Sequence, residues 1–160
     1  MIKIKKAEQE NLKEISKIAS ENFSGLKNIE DAKQWIECNF LAFPRIQYFV
    51  AEKNGKITGY AEWLEKGGFR ENSVWELEQI AVSKDFQGQG IGTQLIKKSF
   101  LEIKKYLENR KSKLKAIEVT TGVENKAQNL YKKTLMAEPE CIIKNLFRGD
   151  EVIMIARFDK

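Results

Sequence analysis

The stretch DFQGQGIG, residues 85–92, carries glycines at 88, 90 and 92 and follows directly on ELEQIAV, residues 76–82. An apolar, strand-like run thus ends in a glycine-rich turn, and a helical pattern begins immediately after it. Each glycine costs about 0.5–1 kcal/mol of conformational entropy relative to alanine. Such a turn is retained where something must approach the backbone with no side chain between. Consecutive N–H groups at a helix start attract anions, and glycines let phosphate oxygens come close to them. A tight turn without a ligand is the plainer alternative.

Working outward, Leu95, Ile96, Phe100, Ile103 and Leu107 lay a helix over residues 90–108, and residues 73–82 and 114–121 read as strands on either side of it. A strand–helix–strand unit of this kind is a right-handed parallel crossover. It places the turn at the carboxyl end of a strand, where open sheets bind ligands. Upstream, residues 46–53 and 56–64 are β-rich runs joined by Asn54-Gly55, a strong hairpin signal. Helical spacing recurs in Leu12, Ile15, Ile18, Ala19 and Phe23, and again in Ala32, Trp35, Ile36 and Phe40, the second helix capped by Asn28 and ended by Pro44. Ile2 and Ile4 give a first strand, and a short helix begins near Asn125. Residues 141–147 and 151–158 are expected to close the chain as a hairpin. The order is β-α-α-β-β-β-α-β-α-β-β, an α/β or α+β arrangement with helices on both faces of a mixed sheet.

The chain has 160 residues, 42% of them hydrophobic, and shows no linker-like tract or repeat, so one domain over 1–160 is expected. Its longest apolar run, residues 152–156, is far too short to cross a bilayer, and MIKIKKAEQE lacks the apolar core of a signal peptide. Cys38 and Cys141 have neither metal-ligand spacing nor a disulfide framework, which fits a reducing, cytoplasmic setting. Histidine is absent, which removes every histidine-based triad, zinc site and imidazole base. Acid–base chemistry must then fall to carboxylates, Tyr, Lys, Cys or water. The net charge of +5 rests mainly on lysine, which reads as a solvated surface and disfavours nucleic acid as a partner.

Two familiar nucleotide motifs fail. A dinucleotide fingerprint would need glycine where Thr93 stands, and a Walker loop would need Gly-Lys-Ser/Thr where Thr93-Gln94 stands. Gln87-Gly88-Gln89-Gly90-Ile91-Gly92 instead resembles the Q/R-x-x-G-x-G/A signature of the GNAT superfamily of acyl-CoA-dependent N-acetyltransferases. Residues 76–82 look like that family's fourth strand, and residues 123–131 like its later Asn-then-Tyr motif. With the element order, the resemblance covers essentially the whole chain. It implies a mostly antiparallel seven-stranded GNAT-like sheet with four helices, and acetyl-CoA as co-substrate without a metal.

The resemblance also implies roles. Coenzyme A pyrophosphate would lie on the amides of Gln87, Gly88, Gln89, Gly90, Ile91, Gly92 and Thr93. Ile80, Ala81 and Val82 would line the pantetheine arm, which the backbone of Ile80 and Val82 would pair. The Val82 amide would stabilise the oxyanion, and Asn125 would bond the pantetheine amides. Tyr131 would protonate the departing thiolate, the alternative being a packing residue. Glu76 is the first candidate for the base and Glu78 the second; both share a face with Ile80 and Val82 unless a bulge intervenes. Two solvated glutamates are the alternative. Where the family has Gly-Phe after the Tyr helix, this chain has Leu135-Met136, which makes the exit irregular.

The acceptor is an amine: a small molecule, a peptide amino terminus or a lysine. The family binds it with the segments corresponding to residues 22–40 and 67–72, which include Trp35, Phe69 and Arg70. A homodimer stays open. Two other classes remain: a non-catalytic acyl-CoA-binding module of the same fold, and a nucleic-acid-binding protein using the lysines of residues 104–115.

Overall fold

The computed structural model describes residues 1–158. Its sheet follows from alternation. In β2 (Ile46–Lys53), Tyr48 and Val50 point to one face while Phe49 and Ala51 point to the other, and all four are buried. A strand buried on both sides reads as a continuous apolar run, and β3 (Lys56–Lys66) behaves alike. Asn54 and Gly55 join them with positive φ at both positions, 52° and 73°, as a two-residue hairpin turn requires.

Around this hairpin stand β1 (Ile2–Lys6), β4 (Asn72–Val82), β5 (Lys113–Gly122), β6 (Glu138–Ile143) and β7 (Glu151–Arg157). The order across the sheet is β1-β2-β3-β4-β5-β7-β6, and only the β4–β5 pair is parallel. Two helices, α1 (Leu12–Asn22) and α2 (Ile29–Phe40), cover one face through Leu12, Ile15, Ile18, Ala32 and Ile36. The expected cap is present: Asn28 Oδ1 accepts from the Glu30 amide at 2.8 Å. The other face is covered by α3 (Ile91–Asn109) and α4 (Ala127–Leu135), whose Leu95, Ile96, Ile103 and Tyr131 pack on Phe49, Trp63, Trp75 and Ile117.

Three expectations are corrected. The penultimate strand spans Glu138–Ile143 rather than residues 141–147. It is a sheet edge, which tolerates Pro139, and Asp150 Oδ1 accepts from the Asn145 amide at 3.1 Å within the turn that follows. The exit of α4 is regular rather than irregular: Met136 takes a left-handed conformation, φ 59°, one residue past the position expected for the family glycine. Finally, Glu76 and Glu78 do not share a face with Ile80 and Val82. Trp63 pairs with Leu77 and Glu62 with Gln79, so Glu78 is the extra residue of a β-bulge. Glu76, opposite Leu64, lies on the α1–α2 face, while Ile80 and Val82 pack into the α3–α4 core.

That bulge positions the site. Bulges bend a strand and increase its twist. Here β4 and β5 pair only from Asn72↔Lys113 to Glu76↔Glu118, although β4 runs on to Val82 and β5 to Gly122. Beyond Glu76 the two strands part, and a cleft opens in the middle of the sheet.

Candidate active site

One wall of the cleft is the free edge of β4. The Ser83 amide donates to Thr58 O across to β3 at 2.9 Å. In an antiparallel ladder the direction of backbone groups alternates, so Ala81 also faces β3 while Ile80 and Val82 turn their N–H and C=O toward the cleft. Of the three residues expected to line the cleft, Ala81 is therefore turned away, and its side chain is buried under α1 and α2. The Val82 carbonyl is already taken by Gln87 Nε2 at 3.0 Å, which leaves the Val82 amide. Gln87 thus fixes the turn to the strand, and it also reaches Asn22 Oδ1 at 3.3 Å.

At the mouth of the cleft the glycine turn leads into α3. Gly88 and Gly90 have φ of 75° and 76°, left-handed conformations that side chains disfavour. A Cβ built at either would meet nothing within 4 Å, so the space before them is open. Gly92 differs: a Cβ there would touch Leu130 Cδ2 at 3.5 Å, where α4 packs against the turn. Among the described residues, the amides from Gly88 through Thr93 have no backbone acceptor, and the first internal bond of α3 is Gln94 N–H to Gly90 O at 3.1 Å. Six consecutive donors at a helix start form an anion cradle. Lys53 stands beside it, its Nζ donating to Gln89 Oε1 at 2.7 Å and lying 5.9 Å from the Phe86 ring.

The α4 side contributes Tyr131, which is buried. Burial alone pushes its phenol up to about 12, with no hydrogen bond or charge contributing. It is therefore a protonated phenol at neutral pH. Asn125 is largely committed to the fold: its Oδ1 accepts from the Ala127 amide at the start of α4, and its Nδ2 donates to Thr121 Oγ1, both at 2.9 Å.

On the α1–α2 face lie the carboxylates. Glu76 is bound by Lys66 Nζ at 3.1 Å, and the same ammonium holds Glu118 at 2.9 Å. Glu78, on the bulge, is exposed at the cleft, and its carboxyl is pushed up by partial burial and by the charge of Glu76. Of the acceptor-side aromatics, Trp35 and Phe69 are exposed. Phe69 stacks at 5.2 Å on the Arg110 guanidinium, and Arg70 Nε donates to Gly67 O at 2.8 Å.

The fold and this cleft have counterparts. The model of the acetyltransferase (GNAT) family matches residues 12–135. The chain belongs to the acetyltransferase (GNAT) family.

An uncharacterized N-acetyltransferase, MJ1207, of Methanocaldococcus jannaschii is 35% identical over 105 residues, 63% of this chain. The match spans 43% of that relative, so this chain accounts for less than half of its length. Among solved structures, Ard1 from Thermoplasma volcanium superposes with a TM-score of 0.76 at 12% identity, covering 99% of each chain. A NatC complex bound to Gag peptide and CoA gives 0.72 at 19% identity, again covering 99% of each chain. At these identities the structures show a shared GNAT fold.

Three residues of this GNAT site were not singled out from the sequence. Lys53 and Lys66 come to it from strands distant in the chain, and no local pattern marks them. Glu62 had a signal. It stands between Tyr60 and Leu64 on the same face of β3, a carboxylate in an otherwise apolar stripe, and it is fully buried.

Proposed function

We propose that the chain, as a single domain, transfers an acetyl group from acetyl-CoA to a primary amine by direct attack in a ternary complex. The observation that carries this reading is the row of amides from Gly88 to Thr93, which have no backbone acceptor among the described residues, opening on a cleft where β4 has no strand partner beyond Glu76. The first suits a pyrophosphate and the second suits the amides of an extended pantetheine arm, so the residues present fit coenzyme A. Bound there, it would supply the activated acyl group as a thioester.

Each step then has a residue. An ammonium cannot attack, so a base must first take its proton. Glu78 is better suited than Glu76, the first choice from sequence alone. Glu76 already shares Lys66, whereas Glu78 forms no ion pair among the described residues, and partial burial and the adjacent Glu76 carboxylate make it hold its proton more tightly than an ordinary glutamate. The Val82 amide donates to the developing oxyanion, and Tyr131 gives its proton to the leaving sulfur. Cys38 and Cys141 are exposed and take no part.

Acetyl-CoA should raise the melting temperature in a concentration-dependent manner. Gly90→Val would test the cradle. The left-handed backbone adds strain of about 1–2 kcal/mol, but a Cβ at this position meets no protein atom within 4 Å. A folded variant should therefore lose the acetyl-CoA shift because its side chain stands in the ligand's place. A full shift in that variant would remove the cradle reading. Transfer itself is tested with a panel of amines, reading thiol release and product mass together.

A further inference from the structure

The amide cradle is short of positive charge. Residues 85–93, DFQGQGIGT, bring one carboxylate, Asp85, and no cation. A helix start offers about half a positive charge, whereas each phosphate of a diphosphate diester carries a full negative one. Where the GNAT signature takes Gln or Arg, this chain has the neutral Gln87, and its Nε2 is committed to Val82 O and Asn22 Oδ1. Lys84, just before the turn, is exposed.

Lys53 reaches the turn from another strand. β2 and β4 flank β3 and both run antiparallel to it, so their carboxyl ends lie at the same end of the sheet. Lys53 is the last residue of β2 and is half-buried. Its Nζ donates at 2.7 Å to Oε1 of Gln89, which sits between the left-handed Gly88 and Gly90. Gln89 is steadied in turn by donating to Asp85 O at 3.4 Å. The Phe86 ring lies 5.9 Å from the same ammonium, within cation–π range. Across the hairpin stands Lys56, and like charges opposite each other repel, which favours the turn as the place for the Lys53 ammonium. Among the described residues Lys53 forms no ion pair, whereas Lys5, Lys66 and Lys105 each hold a carboxylate. Its acceptor is a neutral amide oxygen. A phosphate oxygen displaces such a partner, because a bond between two charged groups is about twice as strong.

We propose that Lys53 is a cofactor-binding residue, whose ammonium leaves Gln89 Oε1 for a diphosphate oxygen of coenzyme A. The inference rests on the acetyl-CoA reading above. Lysine suits the role, since a compact charge on a flexible stem changes acceptors without moving its strand. Gln89 is exposed, so water satisfies the amide oxygen left behind. The diphosphate is assigned rather than the ribose 3′-phosphate, because Gln89 keeps the ammonium beside the amides that would hold the diphosphate.

The test is titration calorimetry of coenzyme A and of 3′-dephospho-coenzyme A with wild type, Lys53→Met, Lys53→Arg and Lys84→Met, the ligand-free Tm reporting that each variant is folded. Lys53→Met keeps the stem and drops the charge. At low salt its Kd for coenzyme A should rise about 10-fold, the scale of one charge-assisted hydrogen bond, and the gap should narrow as salt is added. Lys53→Arg should restore most of the affinity, and Lys84→Met should cost markedly less than Lys53→Met. The ratio of Kd between Lys53→Met and wild type should be the same for the dephospho ligand. Equal Kd for wild type and Lys53→Met overturns the proposal and leaves the cofactor reading standing. A loss as large in Lys53→Arg or in Lys84→Met also overturns it, pointing to packing in the first case and to general charge in the second. A ratio that vanishes with the dephospho ligand overturns the assignment to the diphosphate. Failure of wild type to bind either ligand overturns the cofactor reading and this proposal with it.

Discussion

Lys66 and Glu76 form a 3.1 Å ion pair at the last residue of β4 that still pairs with β5. Its Cα partner there is Glu118, which the same ammonium holds at 2.9 Å. Lys66 therefore clips the two strands where they meet for the last time. One step on, the bulge begins and Glu78 is left unpaired. The division of labour among three carboxylates follows from the position of one lysine.

Glu78→Gln keeps size and hydrogen bonding but removes the basic oxygen. Its kcat/KM at neutral pH should fall about 10²–10⁴-fold, the range for loss of a general base. The defect should shrink as pH approaches the amine's own pKa, where free amine is abundant. Glu76→Gln should cost less than Glu78→Gln across the same profile. If the two variants exchange these behaviours, the base is Glu76 and the Lys66 pair does not disable it.

Tyr131→Phe deletes one hydroxyl and keeps the buried ring. The thiolate is a fair leaving group, since a free thiol has a pKa of about 8.5, so an acid contributes less than a base. Turnover should fall about 10–10²-fold, while the thermal shift with acetyl-CoA stays near that of wild type. Unchanged turnover, with chemistry shown to limit the rate, would make Tyr131 a packing residue only.

Features written in adjacent residues were legible before the fold was known. Gly88 and Gly90 mark their own left-handed turn, Asn28 its helix start, and Asn54-Gly55 its hairpin. The bulge at Glu78 was not, because it is a mismatch of register between β3 and β4 and belongs to neither strand alone. Its absence from a reading of local sequence is what put Glu76 and Glu78 on the wrong face. Lys66 meets Glu118 across a separation of 52 residues, so only the folded sheet reveals that pair. The orientation of Ala81 was hidden for a related reason: which backbone groups face the cleft depends on pairing to β3, and the composition of β4 does not carry it.

Glu62 also predicts how stability depends on pH. Its carboxyl is raised from about 4.5 to about 8 in the folded protein, chiefly by burial. Between these values the unfolded chain has lost the proton and the folded chain has kept it, so rising pH favours unfolding. The penalty is absent below about pH 4.5, grows through that window and levels off above about pH 8. It amounts to a few kcal/mol as an order of magnitude. Glu62→Gln is neutral at every pH and mimics the protonated acid. Thermal unfolding from pH 5 to pH 9 should therefore show wild type losing Tm relative to Glu62→Gln. Parallel curves would mean that Glu62 ionises normally inside the fold.

Met136 holds φ 59°, and its amide donates to Lys132 O at 3.0 Å while that of Ala137 donates to Tyr131 O at 3.4 Å. This is the bonding of a glycine-type helix ending made without glycine. A left-handed conformation costs an ordinary residue about 1–2 kcal/mol, and Met136 is 74% exposed, so its side chain offsets little by packing. Glycine would relieve that strain but lose more freedom on folding, about 0.5–1 kcal/mol relative to alanine. Met136→Gly should then stabilise the protein by about 0.5–1 kcal/mol, raising Tm by about 1–4 °C for a domain of this size. The acetyl-CoA shift should not change, because the substitution leaves Tyr131 one turn upstream in place. A lower Tm would show that the Met136 side chain packs more tightly than its exposure suggests, and that the methionine is retained for contact rather than tolerated despite strain.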